Sequence, residues 1–316
     1  MSTRRPQLSM PLMTFAAEDP GSWEPLLRRA ELCDAAGVDR LVVSDHVVFG
    51  EHLEEYGRPE VGGQAGGRQP TGPDGLWLEP LTTLAVIAGR TGRIRLGTNI
   101  LIAALRRPVV LAKAASTLDV LAGGRLDLGV GVGWQREEYE AAGLSFEGRG
   151  RLLDHTLEVC QTLWRAQRAS YDSPELRFED IHQMPKPLQP GGVPLWIAGT
   201  VHARVARRIA RFGSGWVPWG PAAADVATGI AAMRRALDDV GHDPSDLQVV
   251  GQLRVARDAD GKVDVRGTMA GVPGLLDAGV TDVRLSTGFP ADDAAAADFV
   301  ESLVSAFRDA AGITGG

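Results

Sequence analysis

The feature that most limits what this chain can fold into is an eightfold alternation. Short runs rich in apolar and β-branched residues fall near 7–13, 39–44, 94–101, 125–131, 193–198, 214–218, 247–255 and 281–286. Helix-period patterns fall between and after them, near 22–36, 79–90, 108–122, 149–166, 202–212, 222–240, 268–278 and 292–311. The strand runs read as apolar throughout, as expected of a parallel sheet covered by helices. Eight such units fit an α/β fold closed into a (β/α)8 TIM barrel; an open doubly wound sheet uses the same elements. The 316 residues then form one barrel domain, 1–316, longer than the usual ~250 residues because of insertions near 49–77 and 167–192. Helix 149–166 illustrates the packing logic. Leu152, Leu153, Thr156, Leu157, Cys160, Leu163 and Trp164 recur at three- and four-residue spacing and make one stripe to lie on a sheet.

Charge and cysteine usage exclude several classes. A net charge of −7 leaves no basic face for nucleic acid. The first residues run into a strand without an apolar signal core, and no stretch reaches membrane-spanning length. Cys33 and Cys160 sit in helical patterns without metal-ligand spacing, so they read as buried thiols of a cytoplasmic protein, with no metal expected.

In a β/α barrel the C-terminal ends of the strands carry the chemistry. Ser44-Asp45-His46 closes the second run, and His46 is the candidate reacting residue, because an imidazole titrates near neutral pH. Arg95-Leu96-Gly97-Thr98-Asn99-Ile100 ends the third run with polar groups suited to a heterocycle edge. Gly129-Val130-Gly131-Val132-Gly133-Trp134 lets a flat ring or a phosphate approach bare backbone. Its G-x-G-x-G spacing, at the fourth strand, is not a dinucleotide fingerprint. Glu137 and Glu138, just beyond, either favour a helix N-terminus or touch a ligand.

Ala198-Gly199-Thr200 leads into a helix start near His202, an arrangement able to take a phosphate. Arg204, Arg207, Arg208 and Arg211 on that helix, and Arg106-Arg107 after the third strand, are solvated arginines or holders of an anionic tail. Gly215-Trp216 ends the sixth run at the mouth or in the core. The 49–77 segment, which follows His46 and ends at Trp77, reads as a lid over the active mouth. The 167–192 segment covers the mouth or forms an oligomer contact.

These motifs, in this order, resemble the bacterial luciferase-like monooxygenase superfamily, and within it the actinobacterial oxidoreductases that use the deazaflavin coenzyme F420. The resemblance rests on Ser44-Asp45-His46, Glu79-Pro80-Leu81-Thr82-Thr83-Leu84, Arg107-Pro108-Val109-Val110-Leu111-Ala112-Lys113, Thr117-Leu118-Asp119-Val120-Leu121-Ala122-Gly123-Gly124-Arg125, the Gly129–Trp134 run and Pro194-Leu195-Trp196-Ile197-Ala198-Gly199. It spans about residues 7–290. It implies a barrel with insertions, often dimeric, a cofactor ring in the barrel mouth, a phosphate near the Gly-Thr turn of the fifth unit, and a non-prolyl cis peptide around Asn99-Ile100. Sugar-phosphate dehydrogenases of the superfamily carry a catalytic glutamate where this chain has Trp134, which speaks against glucose 6-phosphate as substrate.

The resulting expectation is an F420-dependent oxidoreductase that moves a hydride between deazaflavin C5 and a small organic substrate, with His46 as acid or base. Asp45, Thr98, Asn99, Ile100, Gly133, Trp134, Ala198, Gly199 and Thr200 are expected at the cofactor, and Trp77 and Trp134 at the substrate. The two arginine clusters favour a cofactor with an oligoglutamate tail over FMN. The alternatives are a two-component FMN-dependent monooxygenase, which requires a flavin reductase as partner, and a flavin-binding protein without turnover. A homodimer is expected in each case.

Overall fold

The computed structural model describes residues 5–313. Eight parallel strands run β1 (Gln7–Pro11), β2 (Arg40–Val43), β3 (Arg95–Thr98), β4 (Leu126–Val130), β5 (Leu195–Gly199), β6 (Gly215–Pro218), β7 (Val250–Leu253) and β8 (Asp282–Leu285). Each pairs with its chain neighbour, and β8 returns to pair with β1. A parallel bridge between Trp216 and Val249 joins the β6 and β7 regions and closes the ring. The fold is therefore the expected (β/α)8 barrel, not the open sheet.

The principal helices are α1 (Glu24–Ala36), α2 (Pro80–Arg90), α3 (Pro108–Leu121), α4 (Arg149–Arg165), α5 (Ala203–Phe212), α6 (Val226–Asp238), α7 (Val272–Ala278) and α8 (Asp293–Ala310). Two differ from the sequence reading. The pattern near 222–240 starts late, because Asp225 accepts the Thr228 N–H and caps a fresh helix at Val226. The pattern near 268–278 is split between Val265–Met269 and α7, where Gly271 and Pro273 favour a new helix start over continuation.

The core lies between the strands and the helices. Leu8, Met10, Leu41, Val43, Leu96, Leu128, Ile197, Trp216, Val283 and Leu285 face outward into it and are buried. The strands are not apolar on both faces, as the sequence reading had it. Ser9, Arg40, Asp127, Asp282 and Arg284 are buried too, and their hydrogen bonds cross between strands, which places them in the barrel lumen. Arg40 bonds both Asp127 and Asp282 and lies over the Trp196 ring at 4.6 Å. Arg95 adds two bonds to Asp127, at 2.6 and 2.8 Å. A layer of ion pairs thus fills the lower barrel, where branched apolar side chains are more usual.

The two insertions occupy opposite ends. The 167–192 segment forms a hairpin, Ala169–Asp172 against Arg177–Ile181, and then packs beneath the barrel rather than over its mouth. The buried Asp119 carboxylate at the end of α3 accepts Leu188 N–H and the Gln189 side chain, both at 2.8 Å. Gln189 also bonds the Leu126 carbonyl and Arg95 at the lower strand ends. The 49–77 segment lies over the mouth. Its end, Leu76–Trp77, pairs with Phe15–Ala16, just after β1.

Candidate functional site

A cavity of about 710 Å3 opens at the C-terminal ends of the strands, the face where barrel enzymes act. Its roof is aromatic. Trp77 stacks on Phe15 at 4.3 Å and donates its N–H to Thr71, so the 49–77 segment holds its own terminal ring. Tyr56 of the same segment reaches Trp134 at 5.5 Å, and burial pushes its phenol pKa up. The Trp219 indole donates to the Gly62 and Gly63 carbonyls, and Arg149 donates to the Val61 carbonyl. Three bonds therefore latch the segment across the mouth.

His46 stands beneath this roof, with Trp77 edge-on at 4.8 Å and Phe49 at 4.5 Å. Its Nδ1 lies 3.3 Å from Glu138 Oε1, and its Nε2 lies 3.1 Å from the Gln69 side-chain nitrogen. The Glu138 side chain is fully buried, and Oε1 also accepts the Val47 N–H at 2.8 Å. A carboxylate accepts only, so Nδ1 carries the proton and Nε2 presents a lone pair to the Gln69 amide. Glu138 thereby fixes the tautomer and the ring orientation. The sequence offered two readings of Glu138, a helix-end charge or a ligand contact; the structure gives it a third place, behind the candidate base. Gln69 was missed altogether, because nothing in its local sequence separates it from an ordinary loop glutamine.

Of the residues expected from sequence, Asp45, His46, Trp77, Asn99, Ile100, Gly133, Trp134, Ala198 and Gly199 line the cavity together. Asn99-Ile100 is joined by a cis peptide bond, as the resemblance implied. Thr98 and Thr200 stand outside the lining. Thr98 is turned to the neighbouring strand, where its hydroxyl donates to the Gly129 carbonyl at 2.7 Å. Thr200, beside Gly220 of the loop after β6, follows the lining residue Gly199 directly and is exposed. The helix start beyond it is capped by its own His202, which accepts the Arg204 N–H.

Asp45 is buried with both oxygens engaged, one by Ile102 N–H and Arg106, the other by Arg106 again. Arg106 continues to Glu79 at 2.9 Å. Burial pulls the Arg106 pKa down, but Asp45 and Glu79 outweigh it and hold it above the ordinary value. Arg106 is thus tied into the scaffold rather than offered to a ligand.

Trp216, left open between mouth and core, is fully buried on the outer face and bonds the Gly199 carbonyl. Trp219, three residues on, lines the cavity in its place, with Trp77 and Trp134. The step from the end of β6 into its loop brings it round, and only the turn geometry shows this.

The sequence profile described as luciferase-like monooxygenase matches residues 10–272. The chain belongs to the luciferase-like monooxygenase family. An uncharacterized protein of Mycobacterium tuberculosis is 34% identical over 140 residues, 44% of this chain and 49% of that one, so the match spans about half the relative's length. An F420-dependent glucose-6-phosphate dehydrogenase of Segniliparus rotundus is 29% identical over 231 residues, 71% of this chain and 62% of the relative. Among solved structures, the monooxygenase RslO1 from Streptomyces bottropensis superposes with a TM-score of 0.72 at 19% identity, over 96% of this chain and 99% of that one. An F420-dependent secondary alcohol dehydrogenase gives 0.74 at 16% identity, over 97% and 100%.

The cavity of this luciferase-like chain suits a flat polar ring. One wall is bare backbone: a Cβ on Gly131 would stand 2.9 Å from the Ile100 side chain, and Gly133 holds a positive φ of 65° against Ile102. Two buried polar atoms among the lining residues, Ser44 Oγ and Trp134 Nε1, have no partner, and a heterocycle edge would supply one. The arginine clusters fit an anionic tail less well than the sequence reading had it. Arg208 is committed to Asp154 at 2.5 Å and Arg211 to Glu158. With Arg106 held by Asp45, that leaves Arg107, Arg204 and Arg207 exposed.

Proposed function

We propose that this chain is an F420-dependent oxidoreductase that moves a hydride between deazaflavin C5 and a small organic substrate, with His46 as general acid or base. The observation that carries the reading is the His46 imidazole, pinned at Nδ1 by a fully buried glutamate while Nε2 faces the cavity side beside Gln69. The F420-dependent relatives, 29% and 27% identical over most of this chain, support the cofactor. Asn99, Ile100, Gly133, Trp134, Ala198 and Gly199 would hold the ring, while Asp45 fixes the Ile102 backbone beside it. Thr98 would support the wall from behind through the Gly129 carbonyl, and Thr200, at the exposed Gly-Thr turn, would meet the cofactor phosphate. When bound, F420 supplies a two-electron hydride centre. The protein's share is the proton. His46 Nε2 takes or returns it at the substrate heteroatom, Glu138 keeps the opposite nitrogen protonated throughout, and the latched 49–77 segment excludes water. Trp77 and Trp134 supply flat walls for the substrate.

A two-component FMN monooxygenase is the second reading. It is favoured by the loss of the arginine argument, since the clusters no longer distinguish a polyanionic tail from a single phosphate. It would require a flavin reductase. Parallel titration of the cofactor-free protein with F420 and FMN separates the two. About tenfold tighter F420 binding, ~1.4 kcal/mol, with substrate-dependent change in deazaflavin absorbance, is the expected result. Tighter FMN and oxygen uptake with a reductase would replace it. Binding without turnover, unaltered in His46→Ala, would make the chain a carrier. The exposed Val86, Val110, Leu121, Met184 and Leu188, on α2, α3 and the 167–192 segment, support a homodimer through that side, which light scattering checks by mass.

A further inference from the structure

The β7–β8 side of the same cavity has no part in the proton chemistry above, and its charge is unbalanced. In the lumen beneath it, three guanidinium groups meet two carboxylates among the described residues. Asp127 is engaged by Arg40 and Arg95, and Asp282 by Arg40 and the Ser9 hydroxyl. Arg284 is the remainder. Its Nε donates to Ser9 Oγ at 3.1 Å, while its NH2 stands 4.0 Å from Asp282 Oδ1, beyond hydrogen-bond reach. The residue is only 5% exposed, yet it lines the cavity.

Its register neighbours are neutral, Ser9 on β1 and Gln252 on β7. Ser286, Thr287 and two further cations, Arg29 and Arg257, also line the cavity. The acid of the lining is Asp45, already neutralised by Arg106. Burial pulls the Arg284 pKa down from its ordinary value, with Asp282 opposing and Arg40 reinforcing the shift; a guanidinium nonetheless stays charged. A buried cation without a full partner is costly unless an anion comes to it.

We propose that the substrate of this site is an anion whose carboxylate or phosphate docks on the free end of Arg284 at the cavity floor, beside Gln252 and Ser286. The proposal rests on the cavity being the substrate site and adds the substrate's class. A cofactor also carries anionic groups, but on a long hydrated tail that must leave through the mouth. A guanidinium set among the lumen side chains is reached only by the compact end of a ligand.

The test uses benzoate and its neutral isostere benzamide, at constant ionic strength, on the cofactor-free full-length protein. Quenching of tryptophan fluorescence reads occupancy of a cavity lined by Trp77, Trp134 and Trp219. Benzoate is expected to bind about tenfold more tightly than benzamide, ~1.4 kcal/mol. The preference should vanish in Arg284→Gln and survive in Arg284→Lys. Equal binding in the wild-type protein overturns the proposal, and so does a preference that persists in Arg284→Gln. A second arm compares FMN with riboflavin. Their affinity ratio should be the same in wild-type protein and Arg284→Gln; a ratio that collapses in the variant would give Arg284 to the cofactor phosphate and overturn the substrate assignment. Neither arm needs turnover or F420, so failure here is separate from failure of the redox reading.

Discussion

His46 and Glu138 form a unit in which the second residue acts only through the first. Glu138→Gln keeps an oxygen for the Val47 N–H, so folding should be little changed, but it no longer demands a proton on Nδ1. The expected result is a fall in kcat of ~10^2–10^4, the range for losing an acid–base group or the carboxylate that orients it. KM should move little, and the pH–rate profile should change shape; a loss confined to KM would show that Glu138 serves the lid instead. Arg284 makes the opposite kind of prediction. It is a buried cation with one good hydrogen bond, and replacing it with an apolar side chain of similar length removes a desolvation cost. Arg284→Met should therefore stabilise the ligand-free protein by about 1 kcal/mol or more, seen as a rise in Tm. These two residues also show where sequence reading stops. Glu138 sits in an acidic helix start that explains itself locally, and Arg284 is one charge inside a β-rich run. Their roles come from partners 92 and 275 positions away.

At the level of elements, boundaries followed local chemistry and were largely legible. α2 starts where Glu79 accepts the Thr82 N–H at 2.7 Å with proline next in line, a start signal visible in Glu79-Pro80-Leu81-Thr82. Burial pushes the Glu79 pKa up, but the Thr82 N–H and Arg106 outweigh it and hold it below its ordinary value. A carboxyl depressed on folding stabilises at pH above its unfolded value, and that contribution disappears as pH falls through the lower folded value. Glu79→Ala should thus cost about 1 kcal/mol at neutral pH, and the difference from wild type should shrink on acidification below about pH 4. Urea melts at pH 7 and pH 3.5 measure both. The lid was legible as a segment, and its latch was not, because Trp219 and Gly62 meet 157 positions apart. Trp219→Phe keeps a ring but deletes both latch bonds. Limited proteolysis within 57–68 should accelerate several-fold, with the thermal midpoint nearly unchanged; an unchanged cleavage rate would show that Arg149 alone holds the segment.

For the molecule as a whole, the eightfold pattern specified the barrel, because apolar runs and amphipathic helices each need the other to bury a face. The lumen was hidden by the same pattern. Arg40, Asp127 and Asp282 each occur among leucines and valines, and their charges balance only across strands. Cys33 and Cys160 are buried as expected, and burial pushes their thiol pKa values up, that of Cys33 to about 12. A thiol reagent at pH 8 should accordingly find almost no reactive sulfur in the native protein and two after unfolding. The ion-pair layer has one more effect. A second cavity, of about 540 Å3, opens at the lower end but stops at Arg40, Arg95 and Asp127. The layer therefore divides it from the upper cavity, whose occupants come and go by the mouth. Two molecules that react inside must pass the same threshold, and whichever sits deeper is trapped while the other remains. Steady-state kinetics should consequently show a compulsory order of arrival and departure, with product inhibition patterns to match, and random-order kinetics would mean that the upper cavity has a second way out.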